Sequence, residues 1–206
     1  MPTIAQNDAY TPAQVSAVTG LSLPAVHKAI EHNVIRPKRV RTGHVIQRLL
    51  SRSQVLYLVL EARGLRSLPL ATRRQVARAV EQQPGIDAMT ISEGSVVLIE
   101  FKSARVAVEA GFRRLVEAEQ MVVSDPEIMG GAPVYRGTRI PVHAIADMLS
   151  QGATVEEILE GYPALSPEKI GLAPTYAKAF PRRGRPILSP WAKHHPRRVT
   201  KDRLTV

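Results

Sequence analysis

"MVVSDPEIMGGAPVYRGTRIPVHAIADML" runs from Met121 to Leu149. Paired glycines, Gly130 and Gly131, and then Pro133 precede Arg136-Gly137-Thr138-Arg139, after which an apolar helical pattern restarts. Neither a long helix nor an ordinary core strand needs such a sequence. Glycine takes positive φ without steric cost, so Gly130-Gly131 frees the backbone for a special turn or a close approach. Pro133 fixes the exit from that turn, and Gly137 suits the tight reversal of a short hairpin. Arg136 and Arg139 flank the reversal. They can hold carbonyls, acids or phosphates, or simply staple the hairpin to Asp125 or Glu127.

Working outward toward the C-terminus, Ile145, Met148 and Leu149 give a helix ended by Gly152. Thr154-Val155-Glu156-Glu157 is a capping box that opens a short helix through Ile158 and Leu159, broken at Gly161-Tyr162-Pro163. Ser166-Pro167-Glu168 starts a third helix by the same logic. A small strand hairpin and three short helices make a homeodomain-like arrangement over residues 121–180. Pro174 falls inside the third helix, where proline costs ~3 kcal/mol. That helix is expected to end or kink near Ala173.

Working outward toward the N-terminus, Thr11-Pro12-Ala13-Gln14 is another capping box, for a helix carrying Val15 and Val18 and stopping at Gly20. Ser22 can cap a second helix, with Pro24 in its first turn, running to about His32. Small Ser16 lets two helices cross closely, and the apolar Val26 and Ile30 lock the second one. Two β-like runs around Arg39–Arg41 and Val45–Gln47 flank Thr42-Gly43. The pattern resembles a helix-turn-helix with a basic wing; the bland alternative is a helical hairpin with a basic loop. Further helices are expected over Ser53–Ala62, 70–83 and 103–120. The last of these has Val106, Ala110, Leu115 and Val116 as apolar positions. Met89–Ile91 and Val96–Phe101 should form a hairpin with a buried second strand. This middle region offers no catalytic grouping and is assigned to completing or dimerising a first domain, residues 1–120.

Charge placement says more than the net +10. Residues 27–52 hold seven Lys/Arg and one acid; residues 181–206 hold eight and one; the remainder is mildly acidic. Two basic patches suggest polyanion contact at two places, or two solvated faces. The tail, residues 181–206, has four prolines and no periodicity, and is expected to be disordered alone. With 206 residues the chain can hold one large or two small domains. No cysteine is present, which excludes disulfides and thiolate metal sites and suits a cytoplasmic location. No signal peptide and no membrane span is read.

The blocks "SDPEIMGGAPVYRGTRIPV" and "TVEEILEGYPALSPEKI" resemble the family catalogued as domain of unknown function 433, over about residues 121–178. The resemblance implies a homeodomain-like fold. It also implies an antitoxin of a VapBC-type module, encoded beside a toxin with a PIN-like ribonuclease domain. The preceding winged helix looks like one subgroup of such antitoxins. In the family the third helix usually runs on unbroken, whereas here Pro174 interrupts it.

The six histidines show no metal-ligand spacing with acids, and no carboxylate cluster, Ser-His-Asp grouping or phosphate loop appears. No catalysis, metal or cofactor is expected. In the tail, "RRGRP" resembles an AT-hook core, with Arg183 and Arg185 as minor-groove residues. Alternatively Ile187, Leu188 and Trp191 anchor the tail on a partner, while Arg197 and Arg198 meet acidic Mg²⁺ ligands of a nuclease. The fold class is therefore mainly α with small β-hairpins. It comprises an N-terminal winged helix-turn-helix domain, a small homeodomain-like three-helix domain and a basic disordered tail. The expected function is that of an antitoxin of a type II toxin–antitoxin module. It would neutralise a PIN-like ribonuclease toxin and repress its own operon. A stand-alone MerR-like transcriptional regulator without a toxin is the alternative. Double-stranded promoter DNA would meet Pro24, Ala25, His27 and Lys28, with Arg36, Lys38, Arg39 and Arg41 on the backbone. A homodimer, or a higher oligomer with the toxin, is expected, because helix-turn-helix proteins usually read paired half-sites.

Overall fold

Thr11 sets the first helix. Its hydroxyl accepts from the Gln14 amide at 3.3 Å, and the Gln14 side chain accepts from the Thr11 amide at 2.8 Å. This closes the capping box and satisfies donors that a helix start leaves orphaned. The computed structural model describes residues 9–182 apart from His44 and Gly94. Helix α1 covers Pro12–Thr19 and ends at Gly20, whose φ of 77° only glycine adopts readily. Helix α2, Leu23–Glu31, follows under the Ser22 cap. Ser16 is fully buried at the crossing, and its hydroxyl donates to the Leu21 carbonyl at 2.7 Å. Asn33, at φ 53°, turns the chain out of α2, and Val34 and Ile35 plug it into the core. Strands β1 (Lys38–Thr42) and β2 (Val45–Leu49) then form an antiparallel hairpin in which Thr42 lies opposite Val45. Its root is clamped by reciprocal bonds between Tyr10 and Leu50, at 2.9 and 2.8 Å.

Helix α3, Arg52–Ala62, starts from a second capping box, Ser51 with Gln54, and is buried from Gln54 to Glu61. It is the central rod of the first core. Helix α4 (Leu70–Gln82) and helix α5 (Lys102–Gln120) pack against it, and strands β3 (Ala88–Glu93) and β4 (Ser95–Glu100) form an antiparallel hairpin between them. Two expectations fail here. Over the expected second strand Ile99 and Phe101 are buried and Val97 is partly buried, whereas Val96 and Leu98 are 75% and 68% exposed. A two-stranded sheet packs one face, and alternation sends every second side chain outward. In α5 the buried stripe is Ala104, Val108, Phe112, Leu115 and Ala118, while Val106 is 66% exposed and Ala110 is exposed too. The facing helices α1, α3 and α8 select that stripe, and an alanine- and valine-rich helix offers two apolar faces.

Residues 121 onward build a second core. Strands β5 (Val122–Val123) and β6 (Val134–Tyr135) pair antiparallel. Helices α6 (Val142–Ser150), α7 (Val155–Gly161) and α8 (Pro167–Ala179) close over Tyr135, Ile145, Ile158 and Ile170. The Thr154–Glu157 capping box and the Ser166 cap are both formed. Helix α8 does not end at Ala173 but continues through Pro174 to Ala179. The Pro174 ring is exposed, while Ala173, Tyr176 and Ala179 are buried against α6, α1 and α5. Packing on both sides of the proline offsets the hydrogen bond it removes. The two cores adjoin along α5 and α8: Phe112 and Ala179 belong to the first, Ala118 and Ala173 to the second.

Candidate nucleic-acid interface

Helix α2 buries Ala25, Val26 and Ala29, which leaves Pro24 and Lys28 exposed and His27 half-buried along its outer side. Ala25 was expected on that outer side. It lies instead on the packed stripe, one turn before Ala29 and beside Val26, so it is not available to a ligand.

The β1–β2 hairpin continues this surface. Arg36, Lys38, Arg39 and Arg41 are all exposed. The register places Arg39 directly opposite Arg48 and Arg41 opposite Ile46. Directly opposed residues share a face, and so do residues two apart. Arg39, Arg41, Arg48 and Ile46 therefore form one face. Val45 and Ile46 are 61% and 65% exposed, so the hairpin stands out from the body with neither face covered near its tip. Arg48 was missed in the sequence; centring the hairpin between positions 43 and 44 would have paired it with Arg39.

The hairpin is held from below by polar bonds. The Gln54 amide nitrogen donates to the Arg36 carbonyl at 2.9 Å and to Glu81 at 2.8 Å. Arg74 donates to the His32 carbonyl at 2.7 Å, answering the free carbonyl end of α2. Arg41 bends onto its own turn, its Nε 3.2 Å from the Gly43 carbonyl. Arg36, Arg39 and Arg48 line a cleft of ≈ 340 Å³ with Glu31, Asn33 and Pro37.

The signature stretch of the second module has mainly structural duties. Gly130 and Gly131 take φ of 64° and 83°, and Gly137 takes 78°. Thr138 N–H closes the reversal on the Tyr135 carbonyl at 2.9 Å, and Val142 N–H bonds the Pro133 carbonyl at 3.0 Å. Arg136 reaches neither Asp125 nor Glu127. It donates to the carbonyls of Gln120 and Val122, at 3.2 and 3.3 Å, and so ties the reversal to the end of α5. Free carbonyls at a helix C-terminus are the natural target for a nearby cation. Arg139 is exposed, with no hydrogen bond or ion pair among the described residues. Burial pushes the Tyr135 hydroxyl pKa well up, and its O–H donates to the Lys169 carbonyl at 3.3 Å.

Gly131, Pro133, Pro141, His143, Tyr176 and Phe180 also line a groove of ≈ 820 Å³. His143 Nε2 donates to the Phe180 carbonyl at 2.8 Å, and Tyr176 meets the imidazole edge-on. Among the described residues, no group of three His, Asp or Glu side chains is placed to hold a metal ion, and no helix is long and apolar enough to cross a membrane. Arg183, Arg185, Ile187, Leu188, Trp191, Arg197 and Arg198 lie outside the described residues.

Residues 122–177, the segment that carries this signature, match the family described as "Protein of unknown function (DUF433)". The chain is also similar to an uncharacterized protein, y4eO, of Sinorhizobium fredii (strain NBRC 101917 / NGR234). They are 51% identical over 71 residues, or 34% of this chain and 32% of the relative. The matched part thus spans about a third of the length of the curated relative.

Proposed function

We propose that the chain is a DNA-binding antitoxin of a type II toxin–antitoxin module. It represses its own operon through a winged helix-turn-helix, and it neutralises a PIN-like ribonuclease by direct contact. The observation that carries the DNA half is the set of exposed cations on α2 and the hairpin. Lys28, Arg36, Lys38, Arg39, Arg41 and Arg48 all lie exposed along it. Exposed cations without paired acids gain most from a polyanion, because phosphate contact releases its condensed counterions. A capped, rigid helix beside a protruding β-ribbon is the geometry that places side chains on base edges and backbone together.

The antitoxin half rests on the resemblance of residues 121–178 to a homeodomain-like family commonly encoded beside PIN-like toxins. Exposed Val96, Leu98 and Val106 in the middle region support assembly into a dimer or larger complex in the cytoplasm. The chain works as a binding protein, not an enzyme. The test is co-expression with the neighbouring gene. Rescue of growth and co-purification of the two products are expected. Repression of the chain's own promoter with neither rescue nor co-purification would identify the stand-alone MerR-like regulator instead.

A further inference from the structure

We infer that the cleft between the end of α2 and the hairpin is a seat for one phosphate of the DNA backbone, with Arg48 as a contact residue alongside Arg36 and Arg39. The inference rests on the DNA-binding reading and adds a defined site to it.

Three guanidinium groups line this cleft, against the single carboxylate of Glu31. None of the three side chains makes a hydrogen bond or ion pair among the described residues, and Glu31 forms no salt bridge with them. The other cause for cations here would be the negative end of α2, equivalent to about half a charge. Arg74 already occupies that end through the His32 carbonyl. With Arg74 set against the dipole, three positive charges against one carboxylate leave a surplus of about +2, enough to attract a singly charged phosphodiester.

The register gives an independent argument. Arg39 and Arg48 are directly opposed across β1 and β2. Like charges in that position destabilise a strand pair. A fold gains nothing from the arrangement, whereas a phosphate held between the two forks removes the repulsion and accepts hydrogen bonds from both. The cleft also lies at the junction of helix and ribbon, where a duplex lying across both must bring its backbone.

Arg48→Gln, Arg48→Lys and, as a remote exposed control, Arg66→Gln are compared in full-length protein. The probes are a 30-bp duplex from the chain's own promoter and a random duplex of equal length. Arg48→Gln should weaken binding to both duplexes about five- to tenfold near 150 mM salt and flatten the log–log salt slope by about 0.9. Arg48→Lys should keep the slope and lose part of the affinity. Arg66→Gln should change neither. The melting temperature of the free Arg48→Gln protein should rise by about 1–4 °C, since the opposed pair is relieved. An unchanged slope in Arg48→Gln, or a loss matched by Arg66→Gln, would overturn the seat. So would a fall in melting temperature, which would make Arg48 a structural residue. Equal affinity for the two duplexes with the predicted slope change would remove the operator reading and leave the phosphate seat standing.

Discussion

Gly111 and Gly171 both lie inside helices, yet replacing each with alanine should change stability in opposite directions. A Cβ at Gly111 would sit 2.6 Å from the Val18 carbonyl oxygen and 2.8 Å from its Cγ1. One contact is backbone and the other belongs to a β-branched side chain with a stiff rotamer, so neither gives way cheaply. Helix α5 must back away from α1, against which it packs. Overpacking of this kind costs ~1–3 kcal/mol, and contact with backbone puts it at the upper end. Alanine returns ~1 kcal/mol of helix propensity. The net is a loss of about 2 kcal/mol, or roughly 4–8 °C in melting temperature for a chain of this size. At Gly171 in α8 an added Cβ meets nothing within 4 Å. There the propensity term acts alone, and Gly171→Ala should stabilise by ~1 kcal/mol. Thermal and urea unfolding of the two variants beside the wild type measure both. A Gly111→Ala protein as stable as Gly171→Ala would refute the close α1–α5 crossing and the placement of α1 and α2 that follows from it.

The buried Arg73–Glu61 salt bridge, with side chains 13% and 3% exposed, gives a second test. Arg73→Met should cost ~3–5 kcal/mol by stranding the carboxylate, and adding Glu61→Leu should recover most of that in urea titrations. Pro174→Ala should stabilise the chain by about 2 kcal/mol, since it restores a donor and a good helix former inside α8; no gain would mean that the helix is broken there. On the antitoxin reading, a chain ending at Arg182 should lose nuclease inhibition yet keep most promoter binding. Trp191→Ala alone should weaken capture about thirtyfold in a titration of nuclease activity. Native inhibition by the shortened chain would move capture into residues 121–180.

What was legible in the sequence was local chemistry. The caps at Thr11, Ser22, Thr154 and Ser166 each depend on a contact three residues away, so sequence spacing alone locates them. The turns at Gly43, Gly130-Gly131 and Gly137 were visible because positive φ selects glycine. What escaped depends on the partner element. Val106 and Ala110 read as core because α5 has two apolar stripes, and its contacts with α1, α3 and α8 choose between them. Ala25 is a small residue that suits either face of α2. Pro174 looked like a helix stop because the burial of Tyr176 and Ala179 beyond it is tertiary. Arg48 needed the hairpin register, and the requirement for glycine at 111 needed the path of α1.

The most direct test of the proposed DNA interface is the salt dependence of binding to the chain's own promoter, read by fluorescence anisotropy. Wild type is compared with a variant carrying Arg39→Ala and Arg41→Ala. Wild-type affinity should fall steeply with salt, with a log–log slope of roughly −0.9 per phosphate neutralised. The variant should bind more weakly, with a slope shallower by about 2. The same affinity and the same slope in both proteins would contradict the account, because the hairpin would then lie off the DNA.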